Sequence, residues 1–219
     1  MDLLDFARGP AIELALAAFV LGTVWRLVAI LLLPWRPDRS QARDGAPSKA
    51  WGALTGIARR FWPHRSFVRA ALFSTVNGYV FHIGLALVVL GLGPHILFIR
   101  DLTGLSWPAL PSNIVYGIAV ITLASLAAAL IRRLTNPVQR LISTADDYIT
   151  WAVTTLPVVT GLAATAHIGA DYRTLLGVHI LSVALFFIWF PFGKLMHTFL
   201  FLISRGATGA RLVHRGARV

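Results

Sequence analysis

Two histidines, His179 and His197, share one apolar segment of the sequence, GVHILSVALFFIWFPFGKLMHTFL. Neutral imidazole is the side chain that most often binds metal ions in proteins. The separation of 18 residues equals about five turns of α-helix, which predicts that both rings lie on one face, about 27 Å apart along the axis. Because the hydrocarbon core of a bilayer is about 30 Å thick, this spacing predicts two metal centres, one toward each side of a membrane.

The composition indicates that this segment lies in a membrane. The 219 residues are 57% hydrophobic and 13% charged, about half the charged fraction of a soluble domain. Asp2 and Asp5 precede the first apolar stretch, where a signal peptide would carry basic residues, so we expect a retained transmembrane helix. The sequence predicts an all-α integral membrane protein, a single five-helix bundle over residues 1–219. The predicted spans are 11–34, 72–99, 113–131, 148–168 and 176–203.

Lysine and arginine residues are distributed unevenly between the predicted loops. Fifteen lie in the first loop, the third loop and the C-terminal tail, whereas Arg8, Arg100 and Arg173 lie on the opposite side. By the positive-inside rule the N-terminus is outside and the C-terminus is cytoplasmic. We therefore expect a multi-pass membrane protein in this orientation. The net charge of +11 indicates a membrane surface and a docked partner rather than nucleic acid.

The basic cytoplasmic loop 36–71 is the longest predicted connection. Its first part is rich in Arg, Pro, Gly and Ser, and its second part is more apolar. The second part is consistent with an amphipathic helix on the inner surface, anchored by Trp51, Phe61 and Trp62, that docks a partner. The alternative is a disordered basic linker.

Partner ligands for the two histidines are present in the second predicted span. This span runs outward and the fifth runs inward, which places His82 at the depth of His197 and His95 at the depth of His179. Each pair could hold one iron between two imidazoles, a six-coordinate arrangement that suits electron transfer. Since the chain has no cysteine, thiolate-bound clusters and covalently attached haem are excluded, and we expect two haems of the b type.

Ligation by His95 requires a change of helix direction. In a straight helix His95 lies about 140° from the face of His82, and Pro94 with Gly91 and Gly93 could kink the segment and bring it round. His167, at the outer end of the fourth span, is the substitute ligand.

The other candidate residues have simpler alternatives. His64 and His214 lie in basic segments and are expected to be solvated. Arg26, within the first span, could bind a haem propionate or reach lipid phosphates. Arg100 and Asp101, at the outer end of the second span, could take up a proton from quinol or be ordinary solvated charges. Gly84, like Gly91 and Gly93, would let a flat macrocycle or a neighbouring helix approach.

Three segments resemble the gamma subunit of respiratory nitrate reductase, a membrane-bound dihaem cytochrome b of a superfamily of quinol-linked anchors. They are FHIG at 81–84, IRRLTNPVQR with the following TADD at 131–147, and the segment from His179 to FPFGKLMH at 197. A weaker match is Trp25-Arg26 in the first span. Carried over from that family, the proximal ligands fall on His82 and His197 and one distal ligand on His179. The fourth falls on Leu92, and the nearest histidine is His95, which indicates a divergent branch such as the anchors of heterodisulfide-reductase-like complexes.

The resemblance implies a function for the whole chain. It implies a multi-pass respiratory-complex subunit of the inner membrane of a prokaryote. This subunit would transfer electrons between membrane quinol or quinone and a cytoplasmic iron–sulfur partner. Quinol would be oxidised near the His95/His179 haem, and electrons would pass by the His82/His197 haem to the partner, or in the reverse direction. The chain would then be the electron-transfer subunit of a hetero-oligomeric oxidoreductase.

Two alternatives remain open from the sequence. One is a cytochrome that reduces ferric iron or a periplasmic acceptor. The other is a haem-free membrane anchor or small transporter whose histidines form hydrogen bonds between helices.

Overall fold

The computed structural model describes residues 2–34 and 38–217, and the regular secondary structure in that part of the chain is all helical. Of its helices, α1, α3, α5, α7 and α8 are long and apolar enough to cross a membrane. The helix bounds are α1 (Leu3–Leu31), α2 (Lys49–Arg59), α3 (Val68–Gly91), α4 (Gly93–Thr103), α5 (Ser112–Thr135), α6 (Pro137–Ile142), α7 (Ala145–Ala166), α8 (Tyr172–Trp189) and α9 (His197–His214). The predicted all-α class and the five membrane-spanning helices are confirmed.

The first span begins earlier than predicted. The Asp2 carboxylate accepts the backbone N–H of Asp5 at 2.8 Å and caps the helix. The chain then kinks at Gly9, whose φ and ψ are −100° and −107°, one residue before Pro10. Proline lacks the N–H that a continuous helix needs, so the helix bends here instead of beginning here.

The second predicted span, 72–99, is divided into two helices. Helix α3 ends at Gly91, Leu92 is extended with ψ of 127°, and α4 begins at Gly93 with Pro94 in its first turn. Proline is well suited to a first turn because the N–H groups there have no partner within the helix. The predicted change of direction is confirmed as a complete break.

The prediction that 176–203 is one continuous helix is wrong. Helix α8 ends at Trp189, a 3-10 turn spans Lys194–Met196, and α9 begins at His197. Pro191 lacks the backbone N–H that the next helical hydrogen bond needs. Gly193 is extended, with φ of −96° and ψ of −173°. The five-turn register between His179 and His197 therefore does not exist, and their positions depend on the turn between α8 and α9.

The membrane-spanning helices pack as an open arc. Helix α3 packs against α5, α5 against α7, α7 against α8, and α8 against α1. Small and polar residues set the closest approach: a Cβ at Gly84 on α3 would lie 2.2 Å from the Thr122 hydroxyl oxygen on α5. The close packing of α3 on α5 therefore accounts for a glycine at position 84. Within the described residues, α3 has no comparable packing against α8 or α9, and it meets α9 through the His82 and His197 side chains.

Helix α2 confirms the predicted helix in the first loop. The Ser48 hydroxyl accepts the Trp51 N–H at 3.2 Å at its N-terminus. The helix packs tightly on α9, where a Cβ at Gly209 would lie 2.2 Å from the Gly52 carbonyl oxygen. Trp51, Phe61 and Trp62 are exposed, as a membrane-surface anchor requires.

The expectation that His214 is solvated is wrong. Its side chain is 9% exposed, and its Nε2 atom lies 3.0 Å from the Ser40 carbonyl oxygen. The α9 tail packs back on the start of the first loop, where Arg215 donates to the Asp38 carboxylate at 2.9 Å. Hydrogen bonds from Ser40 and Arg215 hold the pKa of Asp38 well below its usual range. The described part of the loop, from residue 38, is thus tied to the tail.

Candidate metal centres

His82 and His197 face each other although they belong to different spans. The imidazole centroids are 5.9 Å apart and the ring planes are nearly perpendicular, at 88°. His82 is in the middle of α3, and His197 is the first residue of α9. Both side chains are exposed, because the backbones of α3 and α9 do not pack closely.

His95 and His179 form a second pair between the same two predicted spans. The ring centroids are 6.1 Å apart and the planes are inclined by 23°. His95 is in the first turn of α4, so the break at Leu92 turns it toward α8. Both side chains are half-buried. The structure thus brings together the four histidines in the two pairs drawn from the sequence.

The spacing within each pair suits a shared metal ion. A metal–imidazole bond is about 2.0–2.1 Å long, so two nitrogens on opposite sides of one ion are about 4.1 Å apart. Each nitrogen is about 1.1 Å from its ring centroid, which gives about 6.3 Å between centroids, a few tenths of an ångström above the two observed values. Imidazoles in direct contact cover the same range, so the spacing is compatible with a shared ion and does not by itself require one.

In three of the four rings, the Nδ1 atom forms a hydrogen bond with a backbone carbonyl oxygen. The distances are 2.7 Å from His82 to Gly78, 2.8 Å from His197 to Lys194 and 3.0 Å from His95 to Val88. A carbonyl oxygen only accepts hydrogen bonds, so a neutral imidazole in this position carries its proton on Nδ1. The Nε2 lone pair is then free to bind a metal, and the Nδ1 hydrogen bond fixes the orientation of the ring.

At His179 the group beside Nδ1 is a side chain of α7. The Nδ1 atom lies 3.2 Å from the Thr160 hydroxyl oxygen, which also lies 2.8 Å from the Leu156 carbonyl oxygen and 2.9 Å from the Ser182 hydroxyl. A Thr160 hydroxyl that donates to either of these can accept the His179 Nδ1–H and hold the ring in the same tautomer. The next residue, Gly161, leaves space for the ring, because a Cβ there would lie 3.1 Å from His179 Cε1. Sequence reasoning missed both residues, although a Thr-Gly step in a membrane helix is a signal of close helix contact.

An ion cluster holds the turn that carries His197. Lys194 Nζ lies 2.7 Å from the Asp147 carboxylate on α7, and Arg133 on α5 lies 3.3 Å from the same carboxylate. Asp147 is only 11% exposed, which reduces the screening of these charges. Because the Lys194 carbonyl accepts the His197 Nδ1–H, the cluster fixes the backbone that orients this ring. Two of the sequence segments singled out earlier, 131–147 and the end of 179–197, thus meet in space.

The same turn requires a glycine. Trp189 Nε1 donates to the Thr150 hydroxyl at 3.1 Å and so joins the end of α8 to α7. A Cβ at Gly193 would lie 2.4 Å from that Trp189 nitrogen. Any other residue at 193 would displace the indole or the turn.

The remaining predicted residues lie outside the two pairs. Arg26 is half-buried on α1 and forms no hydrogen bond or ion pair with another residue in 2–34 or 38–217. Arg100 and Asp101 pair with each other at 3.3 Å near the end of α4 and are exposed. His167 is exposed, in the left-handed region at φ of 53°, with its ring 5.4 Å from that of Tyr172. His64 is exposed, as predicted.

Comparison with known proteins identifies a relative over most of the chain. No family model matches the sequence. A protein of Nitratidesulfovibrio vulgaris (strain Hildenborough), named only "Protein", is 34% identical over 206 residues, which cover 93% of this chain and 91% of the relative. The chain belongs to the same family as this protein. The shared length includes the region of all four paired histidines.

Proposed function

We propose that this protein is a haem b subunit of a respiratory complex that transfers electrons between membrane quinol or quinone and a cytoplasmic iron–sulfur partner. The observation that carries the proposal is the pair of facing histidines at each of two positions between the second and fifth spans. In each pair the centroid spacing suits a shared iron, and the Nδ1 atoms are held by protein oxygens.

The donor set fits haem better than a bare metal ion. Two imidazoles complete the coordination of a haem iron, whereas structural zinc needs about four protein ligands. When bound between two imidazoles, haem iron takes up and releases one electron and offers no open site to a substrate.

The distribution of charge supports the orientation and the partner. With the positive-inside rule, the basic loops and the tail face the cytoplasm of a prokaryotic cell, and this face would dock an acidic protein surface. A chain without cysteine holds no thiolate-bound cluster, so electrons must pass to a second polypeptide. The resemblance to the nitrate reductase gamma subunit supports an iron–sulfur protein as that partner.

Two further roles belong to this proposal. Arg26 would bind a haem propionate, since a guanidinium within a membrane span needs an anionic partner. Arg100 and Asp101, near the end of α4 that follows His95, would exchange protons with quinol. Their exposure gives them access to water on the side opposite the basic loops.

A visible spectrum of the purified protein tests the proposal. We expect a reduced-minus-oxidised α-band of b-type haem and about two haems per chain. His197→Ala and His179→Ala should each remove one haem, because an iron with a single axial imidazole is held less firmly. The His64→Ala variant is the matched control and should keep both. Purified protein without an α-band, or full haem content in both ligand variants, would reject the assignment.

The second candidate is a haem-free membrane anchor or small transporter. The hydrogen bond between His179 on α8 and Thr160 on α7 favours it, because a histidine that joins two helices in this way needs no metal. The same spectrum separates the two candidates.

A further inference from the structure

Arg205 on α9 is a partly buried cation that lacks an anionic partner. Its guanidinium lies over two aromatic rings, 5.3 Å from the centroid of Phe61 and 5.5 Å from that of Phe201. Its Nη1 atom is buried and has no hydrogen-bond partner within residues 2–34 and 38–217. A buried guanidinium nitrogen without an acceptor is costly, so this arrangement calls for an acceptor that the chain does not supply.

The position of Arg205 connects it to the His82–His197 pair. His197, Phe201 and Arg205 follow one another at intervals of four residues, so they form one stripe on α9. Side chains of a helix lean toward its N-terminus, which directs Arg205 past Phe201 toward His197. From α3, the Tyr79 hydroxyl donates to the Phe61 carbonyl. This hydrogen bond connects α3 to the aromatic side chains that surround Arg205 on α9. Tyr79 lies one turn from His82 on α3.

Nearby carboxylates already pair with other cations. Asp147 contacts Lys194 and Arg133, and Asp38 contacts Arg215. Arg205 takes part in no ion pair among the described residues. Its aromatic contacts hold the planar guanidinium in place, which favours two-point binding of a carboxylate or phosphate.

We propose that Arg205 binds an anionic oxygen group, a carboxylate or a phosphate, at the end of the α3–α9 interface next to His82 and His197. Two sources carry this chemistry. A propionate of a haem held by these histidines is one, and this source rests on the proposed function. The phosphate of a membrane phospholipid is the other.

Substitution of Arg205 in the full-length purified protein tests the site. Arg205→Gln removes the charge, Arg205→Lys keeps the charge without the planar fork, and Arg140→Gln removes an exposed arginine of α6 as the control. Redox titration of the haems and native mass spectrometry of retained phospholipid are measured for each. If the anion is a propionate, Arg205→Gln should lower the midpoint potential of one haem, because a nearby positive charge favours the reduced form. The second haem should be unchanged.

A lipid phosphate gives a different result. Arg205→Gln should then lose a tightly bound phospholipid while both midpoint potentials stay as in the wild type. The site is rejected if Arg205→Gln matches Arg140→Gln in both measurements. If Arg205→Gln fails to accumulate, Arg205→Met takes its place and is judged by the same outcomes, because its side chain keeps the aromatic contacts without the charge. Arg205→Lys, which keeps the charge, should change the midpoint potential less than either neutral variant. Wild-type protein without haem would reject the proposed function, whereas the phospholipid measurement would still test Arg205.

Discussion

Each paired imidazole has one nitrogen held by a protein oxygen, and the source of that oxygen differs between the rings. Backbone carbonyls serve His82, His95 and His197, so substitution of a side chain cannot remove them. His179 has the Thr160 hydroxyl at its Nδ1 atom. Among the four rings, this is the Nδ1 contact that a side-chain substitution can remove directly.

Thr160→Val should selectively weaken the binding of one of the two proposed haems. Valine keeps the shape of threonine but cannot accept the His179 Nδ1–H, and loss of such a partner typically weakens metal binding about 10–100-fold. Haem retention against a competing apo-protein measures the effect. Thr154→Val, a buried threonine on the same helix whose hydroxyl bonds only to Thr150, is the control. Equal retention in the two variants would contradict a role for Thr160.

At the scale of elements, the turn between α8 and α9 determines where His197 lies. The Asp147–Lys194 ion pair holds this turn at one end, and the Trp189–Thr150 hydrogen bond holds it at the other. The apolar sequence from 176 to 203 predicts a long helix, because its hydropathy is uninterrupted. Pro191 and Gly193 carry the signal for a break, but the partners that fix the turn belong to α7 and cannot be located from this segment alone.

Asp147→Asn should change the environment of the His197 ring. Loss of the carboxylate removes the closest anionic partner of Lys194, whose backbone carbonyl accepts the His197 Nδ1–H. We expect a changed low-spin haem signal in electron paramagnetic resonance for one haem. Lys194→Met should have a similar effect, and the two substitutions together should be non-additive by about 0.5–3 kcal/mol in stability. The control is Asp146→Asn, which removes the neighbouring carboxylate that lies farther from Lys194, at 3.8 Å against 2.7 Å for Asp147. Additive effects would show that the pair does not act as a unit.

The α2–α9 contact is also sensitive to single methyl groups. At Gly209 a Cβ would lie 2.2 Å from a carbonyl oxygen of α2, whereas at Gly206 the nearest atom is at 3.6 Å. Gly209→Ala should therefore lower stability by about 1–3 kcal/mol, measured as a lower Tm in detergent with faster proteolysis of the first loop. Gly206→Ala is the matched substitution and should be tolerated. Similar Tm values for the two would show that α2 can shift without cost.

For the whole molecule, composition predicts the class and the number of spans, and histidine spacing predicts which rings meet. The pairing does not follow from a straight fifth helix, because that helix is broken. His95 reaches His179 through the break at Leu92, and His197 begins a new helix. Thr160, Gly161 and the Arg205 aromatic contacts could not be predicted, since each joins elements distant in sequence.

The orientation in the membrane can be measured because the chain contains no cysteine. Single cysteines at Ser106, between α4 and α5, and at Arg140, on α6, would occupy exposed positions at opposite ends of α5. In intact cells a membrane-impermeant thiol reagent should label Ser106→Cys and spare Arg140→Cys, as the positive-inside rule requires. Both should react after lysis. The reverse pattern would overturn the predicted orientation and the side of the docked partner.

The open arc of helices bears on how the protein would be assembled. Helix α3 packs on α5 at one end of the arc, whereas its only ring contact on the inner side is between His82 and His197 among the described residues. A flat, apolar molecule dissolved in the bilayer could therefore enter sideways without separating two packed helices. Cofactor loading would then follow membrane insertion and require no unfolding.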